Sequence, residues 1–291
     1  MRVRKFSRKL PALALMLLSA CGLVRCAPDP VGEDTIRALY DRPLAPPEAP
    51  LAMFYIGHSL VSRDMPAMVA QLAGAPEDSY ESQMGWGAEL EAHWEPDIPL
   101  KGGDLENDHT RFREAHDAVG SGAYDILVLT EKVEIRDSIK YHDSWYYLAE
   151  WAKKAWQANP DARVYFYETW PELDTDEGWL NRLDLDLGRY WEGEILDRAL
   201  AVDGVDRPIY VIPAGQVMAA FAREVERRGG IGSVEKIEDV FEDKIHFNAL
   251  GAYLVALTHY AVIYGKSPVG LPHALLRADG SPAVDPGPEL A

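Results

Sequence analysis

Short apolar runs alternate with helical segments along most of the chain, and this alternation is the feature that most limits how it can fold. Four runs without a helical period indicate buried strands: LAMFYI, YDILVL, ARVYFYET and PIYVIPAG. A weaker strand is predicted near residues 80–84. Helices are predicted after the strands, beginning near Met65, Asp143, Trp179, Gln216 and Ala249.

Strands that are apolar throughout and separated by helices favour a parallel sheet covered on both faces. We therefore expect a three-layer α/β/α sandwich around a flavodoxin-like, five-stranded parallel sheet, spanning residues 51–272. A chain of 291 residues is long enough for one large domain of this kind.

The N-terminus has the pattern of an export signal. Five basic residues precede an apolar run from Leu10 to Leu18 and the small residues Ser19 and Ala20. The run is shorter than the roughly 20 apolar residues that span a bilayer. Residues 18–21, Leu-Ser-Ala-Cys, resemble a bacterial lipoprotein box, which implies cleavage before Cys21, lipidation of its thiol, and an exported periplasmic or outer-membrane lipoprotein.

We thus expect a signal peptide over residues 1–20 and, from its Pro, Ala and acidic content, an extended tether over residues 21–50. The C-terminal residues 273–291 have the composition of a disordered tail. Ordinary secretory cleavage is the alternative to lipidation, and it would leave Cys21 and Cys26 able to pair in an oxidising compartment.

Charge limits the partners of the exported chain. Removal of the signal leaves 24 basic side chains against 47 acidic ones, so the protein repels nucleic acid and anionic lipid, and we expect membrane contact through the lipid anchor only. No cofactor or metal is expected. The alternative of a metal site near His93, His109 and His116 lacks a recognised ligand spacing.

Ser59, in YIGHSLVSRDMP, follows the first predicted strand and precedes a helix, at the carboxyl edge where open α/β sheets place reactive groups. Its own amide and the helix N-terminus can stabilise an oxyanion, but its hydroxyl needs a base to become a good nucleophile. A simpler alternative is that Ser59 caps the helix.

The best candidate for that base is His246, in FEDKIHFNALGAY before the last helix. Asp243, three residues earlier, can reach its ring and fix the tautomer, as in serine-histidine-aspartate triads. The alternatives are a hydrogen-bonded structural histidine and an aspartate that caps the last helix.

These segments resemble a known family. GHSL and DKIHFNALG resemble the first and last sequence blocks of SGNH (GDSL-like) hydrolases, and QMGWGAELEAHW is similar to a glycine block of one envelope-associated branch. The resemblance implies the SGNH hydrolase fold, with Ser59 as nucleophile, His246 as general base and Asp243 as its partner. It also implies an oxyanion hole formed by the amides of Ser59 and Gly87, with Gly85 as the alternative to Gly87.

One block departs from the family pattern. Many members place an Asn after the third strand as an oxyanion donor, whereas this chain has LVLTEKVEI there. The hydroxyl of Thr130 is the nearest substitute, because Glu131 cannot donate a hydrogen bond when ionised. A Gly-x-Ser-x-Gly elbow of the α/β-hydrolase type is disfavoured, because that elbow follows several strands and Ser59 follows the first.

The expected activity is that of a serine esterase that removes O-acetyl or other short acyl groups from a glycan or similar envelope or extracellular substrate. Its alternatives are an O-acyltransferase and a catalytically silent glycan-binding scaffold. Candidate substrate contacts are His58, Trp86, His93 and Glu131, and the alternative for each is a surface or packing residue. Trp94 can likewise be either a substrate contact or a packing residue. The composition carries no signal of oligomeric state.

Overall fold

The structure is a computed structural model that describes residues 25–47 and 50–288. The sheet consists of β1 (Met53–His58), β2 (Tyr80–Gly85), β3 (Ile126–Leu129), β4 (Arg163–Glu168) and β5 (Ile209–Pro213). All neighbouring strands pair in parallel, in the order β2-β1-β3-β4-β5. This is the flavodoxin-like order, and it confirms the expected five-stranded parallel sheet.

Both faces of the sheet are buried, which explains why its strands are apolar throughout. All six residues of β1 are buried. Because successive side chains of a strand point to opposite faces, Met53 and Tyr55 pack in one core cluster while Phe54 and Ile56 pack in the other.

Helices cover the two faces and form the outer layers of the expected sandwich. They are α1 (Glu33–Leu39), α2 (Asp64–Leu72), α3 (Leu90–Trp94), α4 (Gly103–Glu106), α5 (Ala115–Gly120), α6 (Ile135–Tyr141), α7 (Ser144–Ala158), α8 (Trp179–Asp186), α9 (Asp197–Ala199), α10 (Ala214–Arg228) and α11 (Ala249–Tyr264). Helices α2, α8, α10 and α11 pack on the Tyr55 face, and α3, α5, α7 and α9 on the Phe54 face. A π-helical segment, Leu187–Leu196, joins α8 to α9.

The expectation of an extended tether over residues 21–50 is wrong for its described part. This part contains α1 and lies against the sheet domain, where the Val31 amide donates to the Asp197 carbonyl at 3.0 Å and the Tyr40 hydroxyl to the Ile209 carbonyl at 2.6 Å. Val31 and Tyr40 also pack on the Phe54-face cluster. A few apolar side chains within a Pro-rich segment are therefore enough to dock it.

The expectation of a disordered tail is likewise wrong for residues 273–288. Leu275 is buried in the Tyr55-face cluster, and the Ala283 amide donates to its carbonyl at 2.9 Å. The Gln71 side chain of α2 bonds both the amide and the carbonyl of Leu276 at 2.8 Å. This segment folds back on itself and covers α2.

The expected signal peptide, residues 1–20, and the expected lipidation site, Cys21, lie outside the described residues. Cys26 is exposed. No helix in the described part of the chain combines the length and the apolar character needed to cross a membrane.

Candidate active site

Ser59 lies half-buried in the turn between β1 and α2. A different serine caps the helix: the Ser62 hydroxyl oxygen accepts hydrogen bonds from the amides of Asp64 and Met65 at 3.2 and 3.3 Å. The cap that a serine commonly supplies at a helix start is therefore already provided, and the Ser59 hydroxyl is not used for it.

Asp243 and His246 lie in the loop before α11 and form a closed pair. Asp243 Oδ1 accepts the backbone amides of Ile245 and His246 at 2.8 and 2.7 Å, and Asp243 Oδ2 lies 2.8 Å from His246 Nδ1. The hydrogen bond from the imidazole, followed by the two amides, lowers the pKa of Asp243 to about 2. Asn248, and not Asp243, caps α11, because its side chain accepts two amides of the first helical turn.

The nucleophile turn and this loop meet at the carboxyl edge of the sheet. His246 Nε2 lies 2.9 Å from Ser59 Oγ, although 187 positions separate the two residues along the chain. The loop is held in place by the segment after β4, since the Trp170 indole N–H donates to the carbonyl of Ile245 at 2.9 Å. The two segments singled out by sequence thus contribute to one site.

The hydrogen bonds define the direction in which a proton can move. An ionised carboxylate only accepts hydrogen bonds, so His246 Nδ1 is protonated and donates its N–H to Asp243 Oδ2. The lone pair on Nε2 then faces Ser59 and accepts its hydroxyl proton. This arrangement can activate the serine for attack on an acyl carbon.

Two backbone amides lie at the level of Ser59. His58 and Gly85 are partners in the pairing of β1 with β2, so Ser59 and the residues after Gly85 leave adjacent strands side by side. Among the described residues, the amides of Ser59 and Gly87 donate no hydrogen bond. Gly87 is exposed and has a φ of 54°, which favours glycine. Gly85 is buried in β2, where an added Cβ would lie 2.6 Å from Leu100.

The expectation that Thr130 supplies a third oxyanion donor is wrong. Its side chain is fully buried, and its hydroxyl donates to the carbonyl of Tyr167 in β4 at 2.8 Å. Its methyl group faces Gly57 so closely that a Cβ there would lie 2.4 Å from it. Thr130 therefore packs β1 against β4 and does not face a substrate.

Of the two interpretations given for His58, His93 and Glu131, the structure supports packing residues and not substrate contacts. All three are buried and hydrogen-bond to neighbouring parts of the chain. Burial lowers the pKa of His58 and of His93 to about 4 and raises that of Glu131 to about 7. Both histidines are thus neutral near pH 7, and their contribution to the site is indirect.

The two tryptophans near the glycine turn differ in their surroundings. Trp86 is 52% exposed, its indole N–H donates to Glu106 Oε1 at 2.7 Å, and its ring covers Gly102, where an added Cβ would lie 2.2 Å from it. Trp94 instead packs edge-on against Trp151 with ring centroids 4.9 Å apart. Only Trp86, of these two, presents a fixed aromatic surface beside Gly87.

The histidines considered for a metal site bond to the protein itself. His93 Nε2 donates to the Gly57 carbonyl at 2.9 Å and His116 Nε2 to the Trp94 carbonyl at 2.8 Å. His109 Nδ1 accepts the amide of Arg111 at 3.1 Å. Within residues 25–47 and 50–288, no three or more His, Cys, Asp or Glu side chains are arranged as metal ligands.

An acidic groove of about 430 Å³, which was not among the features expected from sequence, lies next to the loop that carries His246. Its lining includes Glu134, Asp174, Asp176 and Lys244, whose ammonium lies 2.7 Å from Glu172. The acidic run after ARVYFYET, at the carboxyl end of a strand, is the signal that indicates it. A larger cavity of about 730 Å³, between α3, α4 and α5, contains neither the nucleophile nor the base, so size does not locate the site.

Three solved structures have an arrangement of strands and helices that is similar to that of this chain. One is a DUF4886 family protein from Bacteroides uniformis, with 14% identity, 76% of this chain and 86% of that chain covered, and a TM-score of 0.47. Another, from Parabacteroides merdae, is provisionally described as a GDSL-like lipase, with 11% identity, 77% and 99% covered, and a TM-score of 0.45. The third is a carbohydrate esterase family 2 enzyme with a carbohydrate binding domain from Corynascus thermopiles, with 12% identity, 77% and 68% covered, and a TM-score of 0.41.

No protein-family model matches the chain, and no curated protein matches its sequence. At the identities and TM-scores of the solved structures, the activities of those proteins do not carry over to this chain. Its function must be inferred from its own residues.

Proposed function

We propose that the protein is a serine esterase of the SGNH type. The observation that carries the proposal is the continuous relay from Ser59 Oγ to His246 Nε2 at 2.9 Å and from His246 Nδ1 to Asp243 Oδ2 at 2.8 Å. Three side chains of these types, in this order and at hydrogen-bond distances, are what nucleophilic acyl transfer requires.

In the proposed reaction, Ser59 Oγ attacks the acyl carbon while its proton passes to His246 Nε2. Asp243 stabilises the imidazolium that forms, and the amides of Ser59 and Gly87 hold the negative charge on the former carbonyl oxygen. His246 then protonates the departing alcohol and leaves an acyl-serine. Water, deprotonated by His246, attacks the acyl group and releases it as the free acid.

We propose a neutral acylated glycan as the substrate. The exposed indole of Trp86 beside Gly87 supports this, because a fixed aromatic surface can bind the apolar face of a sugar ring. The acidic groove next to His246 disfavours anionic substrates. Export and attachment to the envelope through Cys21 remain part of the proposal and place the enzyme beside such glycans.

A silent glycan-binding scaffold and an O-acyltransferase are the competing functions. The engagement of Thr130 with Tyr167 favours the scaffold, because it leaves the two amides without the side-chain donor expected between them. The relay favours catalysis, since a scaffold has no need for an imidazole aligned on a serine. An acyltransferase differs only in the last step, in which an alcohol replaces water.

The test is hydrolysis of a short-chain aryl ester by the wild type, by Ser59→Ala and by the control Ser138→Ala. Ser138 is buried in α6 and makes no side-chain hydrogen bond with the described residues. We expect Ser59→Ala to lower kcat at least about 1000-fold, and Ser138→Ala to retain wild-type activity. A fluorophosphonate should label Ser59, and release of free acid rather than a transferred ester separates hydrolase from transferase. Equal rates for wild type and Ser59→Ala would refute the proposal.

A further inference from the structure

Three buried polar side chains lie between the loops that form the candidate site. They are His58 at the end of β1, His93 in α3 and Glu131 two residues after the end of β3, and they are at most 4% exposed. None of them has a role in the proton relay. Burial of a polar group costs free energy unless the group is hydrogen-bonded, so the partners of these three side chains show what holds them there.

His93 connects α3 to the strand that carries the nucleophile. Its Nε2 donates to the carbonyl of Gly57, two residues before Ser59, at 2.9 Å. Its Nδ1 accepts from the Gln83 side-chain amide of β2 at 3.0 Å, which fixes the tautomer. The helix that follows the glycine turn is thereby held against the nucleophile turn.

His58 connects the nucleophile turn to the loop after β3. Its Nε2 donates to the backbone carbonyl of Glu131 at 2.8 Å, and its Nδ1 accepts the amide of Leu60 at 3.3 Å. The imidazole therefore connects the nucleophile turn, through the Leu60 amide one residue after Ser59, to the loop after β3, through the Glu131 carbonyl. These two bonds hold the turn that carries the Ser59 amide against that loop.

Glu131 connects the same loop to the glycine turn. Its Oε1 accepts the amides of Leu90 and Lys132 at 3.3 and 2.9 Å. Leu90 is the first residue of α3 and lies three residues after Gly87. The turn that carries the Gly87 amide is thus held at one end by the pairing of Gly85 with β1 and at the other end by Glu131.

We propose that Glu131, supported by His58 and His93, is a positioning residue that sets the spacing between the two oxyanion amides, those of Ser59 and Gly87. This inference rests on the proposed esterase function and extends it. A backbone amide moves only when its turn moves. The geometry of an oxyanion hole made of two backbone amides therefore depends on the contacts that hold the two turns in place. In this chain Glu131 lies in the loop where an oxyanion donor was expected. It does not contact the oxyanion but holds the turn that carries one of the two amides.

Glu168 provides a matched control. It is also a fully buried carboxyl group directly at the end of a strand, and its oxygens accept the backbone amide and the side-chain amide of Gln216 at 3.2 and 3.0 Å. Its partner lies in α10, however, and bonds neither turn of the proposed oxyanion hole. Loss of either carboxyl group removes a comparable set of buried bonds, but only one of the two changes should affect the hole.

The experiment measures kcat and KM for a short-chain aryl ester, the rate of fluorophosphonate labelling, and Tm, in Glu131→Ala, Glu131→Gln and Glu168→Ala. We expect Glu131→Ala to lower kcat and the labelling rate about 10- to 100-fold, with KM nearly unchanged because ground-state binding is not involved. Glu131→Gln keeps an oxygen acceptor for both amides and should restore kcat to near the wild-type value. Glu168→Ala should lower Tm and leave kcat unchanged.

Because Glu131→Ala could fail to fold, a second variant tests the same network at another residue. His93→Phe keeps the ring but loses the bond to Gly57, and it should also lower kcat without raising KM. The inference is overturned if Glu131→Gln is as slow as Glu131→Ala, or if Glu168→Ala lowers kcat equally. Failure of the proposed function is distinguishable, since Ser59→Ala would then be as active as the wild type.

Discussion

Replacement of Asp243 by Asn tests the proton relay by a change of one atom. Both loop amides donate to Asp243 Oδ1, so the asparagine oxygen should keep that position and its NH₂ group should take the place of Oδ2. The NH₂ group would then face His246 Nδ1 as a donor, where a donor is present now. The imidazole is expected to respond by moving its proton to Nε2, and it can then no longer accept the proton of Ser59.

The expected loss can be worked out from two contributions. The fall of the Asp243 pKa from 3.8 to about 2 corresponds to at most about 2.5 kcal/mol. Because this carboxylate is 53% exposed to screening water, and because the two loop amides that share in the shift stay bonded in the variant, at most about half of that is lost, or about tenfold in rate. Reversal of the tautomer costs about one hydrogen bond, which is about another tenfold. We expect kcat to fall about 100-fold, less than the roughly 10⁴-fold known for a buried triad aspartate.

The assay is the initial rate of aryl acetate hydrolysis near pH 7, with Asp239→Asn as the matched control. Asp239 is likewise an aspartate whose side chain accepts two backbone amides, those of Glu235 and Lys236, but it does not contact His246. The control should keep its activity. A kcat for Asp243→Asn within threefold of the wild type, or an equal fall in the control, would contradict the assigned role of Asp243.

Three further predictions concern the oxyanion turn, the aromatic surface and the buried carboxyl group of Glu168. Gly87→Ala should lower kcat at least about tenfold, because its φ of 54° disfavours a Cβ and the turn must move; Gly74→Ala, at a φ of 62° in a remote turn, should not change kcat. Trp86→Ala should raise KM for an acetylated oligosaccharide about 3- to 10-fold, the value of one aromatic contact, and leave an aryl ester unaffected. For Glu168, burial raises the pKa from 4.5 to about 8, so its ionisation favours the unfolded chain as pH rises through that window. The free energy of unfolding in urea should therefore rise for Glu168→Gln relative to the wild type, by up to about 1.4 kcal/mol per pH unit between pH 5 and 8. A difference that does not change with pH would contradict this.

The fold follows from local properties of the chain. Strands such as LAMFYI are apolar at every position, which only a sheet covered on both faces can satisfy, and the order of strands and helices then favours parallel crossovers. The same pattern shows that Ser59 follows a strand and that His246 precedes the last helix. Sequence could therefore place both residues at the carboxyl edge of the sheet.

Sequence could not determine which way neighbouring side chains point. Ser62 and Ser59 are equally able to cap α2, and Asn248 and Asp243 to cap α11, until the turns are built. Thr130 faces β4 rather than the site because the strand register, which is a property of the whole sheet, orients it.

The docking of residues 25–47 and the burial of Glu131 were likewise decided by tertiary packing. A few apolar side chains in a Pro-rich segment have no partner until the sheet domain offers a surface, so composition alone indicates a tether. Glu131 is polar and follows a strand, which by sequence suggests the open cleft, yet α3 covers it and its carboxyl oxygen bonds Leu90. Local sequence determines which elements form and which groups reach one edge, whereas burial and side-chain direction depend on contacts between segments far apart in the chain.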